Sequence, residues 1–386
     1  MSPTYDVAVV GLGALGSATA WQLARRGRRV VGFEQFELGH ERGASHDTSR
    51  ILRHSYHTAD YVRLTMEAYQ DWADLEDASD TALVTVTGGV DLYPPDAAIP
   101  RGDYVASMAE VGVPFEVLGT SEVHDRWPQW RLPEGTVAVH QERTAVVPAA
   151  LGTATMQRLA RDAGANLLER SAVAAVRPRA DGVEVVADGT TYSCAAAVVC
   201  ADAWAGRLLA PLGWDLPLTV TEEQVTYFAP EVPETFAGDR FPVWIWMDDP
   251  SYYGFPTYGE PTVKAAQDCG GPVVTPENRS GHVDASMLAD LAAFMARHLP
   301  GAGVPIRSKR CLYTLTPDRD FVLGPVPGAE RVVVGLGAAH GFKFAPTFGR
   351  RLADLAQGDE PGPELAPFRL DRPALTEPDV EPSWLV

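Results

Sequence analysis

Cysteine is scarce in this 386-residue chain: four in all, at positions 194, 200, 269 and 311, with no CxxC spacing. That excludes a disulfide framework and a thiolate zinc site, and it fits a reducing cytoplasm. No stretch reaches the roughly 20 apolar residues of a membrane span. Basic residues are in the minority, 32 Lys and Arg against 51 Asp and Glu, for a net charge of −19. Nucleic-acid binding needs a basic face that releases counterions, and anionic membranes select for the same feature, so neither is an expected partner. The acidity reads as a solubilising surface. Near the start there is no basic segment followed by an apolar stretch and a cleavage site, so a cytoplasmic chain is expected. Internal repeats and low-complexity tracts are missing too.

What is present is an ordinary globular composition, 46% hydrophobic and 22% charged. At this length two lobes around a cleft are expected. Residues 5–10 (YDVAVV) form a short β-branched run, read as a buried parallel strand. Residues 11–16 (GLGALG) make a turn, 17–26 a helix ended by Gly27, and 29–33 a second strand closed by Glu34. This βαβ unit fits G-x-G-x-x-G with an acid about 20 residues on. Gly11, Gly13 and Gly16 permit the turn and let the backbone approach a pyrophosphate at a helix N-terminus. Glu34 can accept from an adenosine ribose and would repel a 2′-phosphate.

Residues 331–344 (RVVVGLGAAHGFKF) form a second strand, glycine turn and helix start far along the chain. A nicotinamide dinucleotide does not need it, whereas a flavin ring crossing the sheet edge would use it, so the cofactor expected is FAD. Between these ends, 61–75 reads as a helix, 81–139 as short strands and Pro- or Gly-punctuated turns, and 216–266 as a second β-rich block. Within that block, the alternation at 242–246 reads as a half-buried strand. The tail after 358 is Pro-rich and is expected to wrap the surface. The fold class expected is α/β: a doubly wound, Rossmann-like FAD-binding domain (1–80, 140–215 and 306–386) with an inserted antiparallel β-sheet substrate domain (81–139 and 216–305).

Five segments carry a resemblance that runs almost end to end: VVGLGALGSATAWQLARRG at the start, SHDTSRILRHSY at 45–56, YYGFP at 252–256, CLYTLTPDRDF at 311–321, and GLGAAHGFKF at 335–344. The chain resembles the monomeric sarcosine oxidase and N-methyltryptophan oxidase family of covalent flavoproteins, in the wider D-amino-acid-oxidase-like superfamily. The resemblance implies a thioether from Cys311 to the flavin, with Cys194, Cys200 and Cys269 left as small buried hydrophobes. It implies cofactor contacts at Gly11, Gly13, Gly16, Glu34, Val173, Cys311, Gly341 and Lys343. His46 and Arg50, one turn apart if helical, are expected beside the reactive face of the flavin. Arg53 and Lys343 are expected to hold a substrate carboxylate, a planar anion that suits a guanidinium fork. Lys264 is expected to activate dioxygen, and Tyr253 and Tyr313 to lie near the site.

The implied reaction is oxidation of a secondary or N-methyl amino acid, with dioxygen reduced to hydrogen peroxide. Cations at positions 50, 53, 264 and 343 would keep the amine neutral, so no protein base is required. A monomer that binds only its amine and dioxygen, with no metal, is expected. The alternative is a flavin dehydrogenase, or an oxidase of a cyclic amino acid or imine in a biosynthetic pathway. Three departures from the family pattern bear on the substrate or the cofactor turn. Asp268 stands where simple members have histidine, and is expected to meet a polar substrate group or to pair with Lys264. Glu222-Glu223 replaces a basic or aromatic position, adding acids near the pocket, and Ala201-Asp202-Ala203-Trp204 replaces Gly-Ala-Trp.

Overall fold

The computed structural model describes residues 4–377 and residue 380, so the first three residues and the end of the tail lie outside the described residues. Two eight-stranded sheets organise the chain, with a three-stranded sheet between 50 and 147. In the first sheet Thr4–Val10 lies parallel between Val30–Phe33 and Thr190–Val199, the latter parallel to Ala329–Leu336. Its central strands are buried on both faces. Val7 and Val9 join one apolar cluster while Ala8 and Val10 join another, as an α/β sheet covered on both sides requires. The helices Ala14–Arg25, Ala149–Asp162 and Ala345–Ala356 cover one face. The hairpin of Val173–Arg179 and Gly182–Ala187 and the short helix Ala205–Leu209 cover the other.

The second sheet runs in the order 304–315, 219–229, 263–267, 252–255, 243–246, 89–93, 137–141, 116–119. It is antiparallel except where Val243–Trp246 meets Gly89–Tyr93 in parallel, at the junction of the early and late segments. Val304–Leu315 carries Cys311 and pairs along its length with Thr219–Ala229. It therefore stands in this sheet, although the sequence division grouped everything from 306 onward with the cofactor unit.

Three local expectations are corrected. The stretch 81–139 contains two helices, Arg101–Val111 and Thr120–Arg126. The first buries only Tyr104, Ser107 and Met108, too narrow an apolar stripe to show a 3.6-residue period. Val243–Trp246 is covered on both faces, not half-buried. The region 46–53 is not helical: Arg50–Leu52 is a strand paired with Ala145–Val147, and β-branched Ile51 favours that conformation.

Candidate active site

Two glycine turns face each other across the first sheet. Gly11 has φ of 89°, and a Cβ there would lie 2.4 Å from the Cys200 carbonyl oxygen; a Cβ on Gly16 would lie 1.8 Å from the Gly11 carbonyl oxygen. Only glycine permits this turn. The helix Ala14–Arg25 then starts at a cavity bounded by Gly11, Gly13, Glu34, His46, Val173 and Asp202, its Ala14 amide donating to the Ser45 hydroxyl at 2.9 Å. Glu34 is buried. Its carboxylate accepts from the Leu12 and Phe36 amides, both at 3.1 Å.

That cavity continues into a second, bounded by Gly13, Ser45, Arg50, Asp202, Cys311, Gly337 and Gly341. The second continues into a third, of about 280 Å³, through their shared residues Arg50, Tyr313, Ala339 and Phe342. The result is one trough leading from Glu34 past Cys311 to Lys343. Both ring nitrogens of buried His46 lack a hydrogen-bond partner among the described residues. Burial, with repulsion from Arg50, lowers His46 to about 4, so it is neutral at pH 7. An elongated channel with two glycine turns and an unpartnered imidazole on its wall fits an extended dinucleotide.

The third cavity brings together Arg50, Arg53, Lys343, Tyr253, Tyr313 and Asp268, as well as Arg319 and His340. Arg50 is fixed by donating to the carbonyls of Ala44 (2.8 Å), His46 (3.0 Å) and Ser49 (2.8 Å). Its contact with His46 thus passes through the backbone. Arg53 meets Asp91 at 3.4 Å in the interior. Lys343 lies in the turn Gly341–Phe344 and donates to the His340 carbonyl at 2.9 Å. It has no carboxylate within ion-pair distance among the described residues. Burial, then repulsion from Arg53, Arg319 and Arg50, holds its amine well below the usual lysine range. The hydroxyls of Tyr253 and Tyr313 are 3.4 Å apart.

Asp268 pairs with Arg319 at 3.0 Å, not with Lys264. Arg319 also presents its carbonyl to His340 Nε2 at 2.9 Å, which ties the two pocket walls together. Glu222 and Glu223 are absent from the pocket lining. Glu222 accepts from the Ser280 and Gly281 amides and pairs with Arg310, and Glu223 accepts from the Gly270 and Gly271 amides. The two extra acids are used to fold loops.

Lys264 stands on Val263–Gln267 and is 3% exposed. It meets Asp47 Oδ2 at 2.6 Å and donates to the Ser49 carbonyl at 3.0 Å and the Ser49 hydroxyl at 3.2 Å. Asp47 in turn accepts from the Tyr227 hydroxyl at 2.5 Å. Asp47, Tyr227 and Arg319 were not picked out from the sequence. Asp47 adjoins His46 in a segment that was, while nothing near Tyr227 marks it. Among the described residues, no three His, Cys, Asp or Glu side chains group to hold a metal, and no helix is long and apolar enough to cross a membrane.

Residues 6–355 match the family of FAD dependent oxidoreductases known as DAO. The chain belongs to this family. The oxidoreductase is 35% identical to the monomeric sarcosine oxidase of Streptomyces avermitilis, over 92% of this chain and 94% of that one. It is 32% identical to the peroxisomal sarcosine oxidase of Homo sapiens, over 95% and 96%. Among solved structures it is similar to NikD, described as an unusual amino acid oxidase essential for nikkomycin biosynthesis. The TM-score is 0.86 at 30% identity, covering 95% of this chain and 98% of that one.

Proposed function

We propose that this oxidoreductase removes two hydrogens from the carbon–nitrogen bond of a secondary or N-methyl amino acid. The products are an imine and, from dioxygen, hydrogen peroxide. The observation that carries this is the trough itself, which joins a dinucleotide channel to a pocket with Arg50, Arg53, Arg319 and Lys343 on its walls. Sarcosine oxidases among its relatives support the substrate class. FAD, when bound, supplies the electron acceptor for the amine and the donor for dioxygen.

The protein's part is position and field. Gly11, Gly13, Gly16, Glu34 and Val173 would hold the adenosine and pyrophosphate end, with Gly341 and Lys343 at the flavin end. Cys311 would carry the flavin covalently: it lines the trough, where burial raises its thiol to about 11 against the opposing pull of Arg50 and Lys264. Arg53 and Lys343 would bind the substrate carboxylate, whose arrival relieves their mutual repulsion. The same cations hold the bound amine neutral, leaving its lone pair free. Lys264 would stabilise the negative charge that develops as dioxygen is reduced.

Oxidation of a cyclic amino acid is the second reading, favoured by the pocket volume of about 280 Å³. An anaerobic screen of N-methyl and cyclic amino acids for bleaching of the flavin absorbance, followed by peroxide measurement under air, decides among these. Bleaching without peroxide identifies a dehydrogenase. Bleaching by simple amines as readily as by amino acids excludes the carboxylate clamp.

A further inference from the structure

All 29 arginines are outnumbered by acids, yet the chain has only three lysines, at 264, 309 and 343. Two of them meet one carboxylate. Asp47 lies 2.6 Å from the Lys264 ammonium and 3.8 Å from that of Lys309, itself 2.7 Å from Glu41. Asp47 is 6% exposed and its backbone is left-handed, with φ of 80°, a conformation that Asp and Asn tolerate better than other side chains. Its second oxygen is held by Tyr227.

Burial and the Arg50 guanidinium disfavour a cation at Lys264, while two aromatic ring faces favour it weakly. Arg50 repels it from the 46–53 segment. Tyr227 on Thr219–Ala229 and Phe255 on Tyr252–Phe255 present ring faces, and Cys311 faces it from Val304–Leu315. His46 and Lys309 act on Asp47 from either side. The helix Ala285–His298 packs against Val263 and Ala265 on the opposite face of the lysine's strand. Among the described residues, Asp47 is the one carboxylate within ion-pair distance of this amine.

We propose that Asp47 is a positioning residue that keeps Lys264 an ammonium and so sets the pH range over which dioxygen is reduced. This rests on the reading of Lys264 as the oxygen-activating group. Burial first, then Arg50, lowers Lys264 to about 8 even with Asp47 opposing the shift. Removing the carboxylate lowers it further, by about 1 to 3 pH units for a charge at this distance. The charged form is present below that value and lost as pH rises through it, so Asp47→Asn moves the alkaline fall of reoxidation to lower pH.

Three lysines make a direct readout practical. In cofactor-loaded protein with ¹⁵Nζ-labelled lysine, three side-chain signals are assigned from Lys264→Met, Lys309→Met and Lys343→Met. Stopped-flow reoxidation is then followed against pH in the wild type, Asp47→Asn and Lys264→Met. The expected result is a Lys264 signal that titrates at lower pH in Asp47→Asn, with reoxidation following the same midpoint. A Lys264 titration unchanged by Asp47→Asn overturns the proposal. Should Asp47→Asn not fold, the wild type still decides: at pH 7 the Lys264 nitrogen must resonate as an ammonium, and a neutral amine there overturns it. Lys264→Met is expected to slow reoxidation about a hundredfold, the usual cost of one preorganised electrostatic group. Reoxidation at the wild-type rate in that variant refutes the oxygen-activating reading itself, whatever the titrations show.

Discussion

Lys343 is a buried amine surrounded by guanidinium groups and donating to a single carbonyl. Such a group gains most from an arriving anion, because the anion both pairs with it and offsets Arg53 and Arg319. Carboxylate binding should therefore raise its pKa and draw in a proton wherever the solution pH lies between the free and bound values. Affinity for a simple carboxylate inhibitor should fall as pH rises through that window. Calorimetry in two buffers of different ionisation heat measures the uptake. Zero uptake, or affinity that grows with pH, would contradict the clamp. Lys343→Met should abolish the uptake and weaken binding about ten- to a hundredfold, the worth of one charge-assisted contact. At this scale the sequence named the residues better than their contacts. Arg50, Arg53, Lys343, Tyr253 and Asp268 line one pocket, which His46 and Lys264 do not line. Their pairings escaped notice because they join positions far apart in the chain. Asp268 meets Arg319 across 51 residues, and Tyr227 meets Asp47 across 180. Pairing at that range leaves no periodic or motif signal.

Elements with strong local chemistry were readable: the strand, glycine turn and helix at 4–25, and the second strand and turn at 329–344. Those stabilised from outside were not. Arg101–Val111 and Thr120–Arg126 bury few side chains, and Arg50–Leu52 owes its conformation to the partner strand Ala145–Val147. Packing between elements allows a separate test. Helices Ala14–Arg25 and Ala345–Ala356 cross where Gly349 meets Ala18, and a Cβ on Gly349 would lie 2.4 Å from the Ala18 Cβ and 2.6 Å from its carbonyl carbon. Gly349→Ala must push the helices apart. It should destabilise the protein by about 1–3 kcal/mol despite alanine's better helix propensity. Chemical denaturation checks this, and a stabilised variant would mean that the crossing adjusts without strain.

Across the whole molecule, the trough uses both large sheets. The glycine turn and Glu34 come from the first, while Cys311 and Tyr313 come from the second. A ligand spanning them stabilises the assembly by linkage, and a tethered one cannot be lost by dilution. Acid-precipitated wild type should keep its flavin absorbance, while Cys311→Ser should release it to the supernatant. Dialysed Cys311→Ser should melt below the wild type and recover part of the difference when FAD is added. Flavin released from the wild type would show that binding is non-covalent. The two-lobed plan was legible because two β-rich blocks interrupt segments whose glycine turns both announce strands of the first sheet. Membership of Val304–Leu315 in the second sheet was not, since an edge strand carries no mark of which sheet it joins. The scarcity of lysine has a practical consequence for handling this protein. Lys264 and Lys343 are buried, and the Lys309 side chain, 32% exposed, is the reachable amine among the three. Among the lysines, amine-directed coupling to a dye or a resin would therefore converge on one position, beside Asp47, with the N-terminal amine as the other reactive group. Enzyme held through Lys309 would have its attachment point beside Asp47.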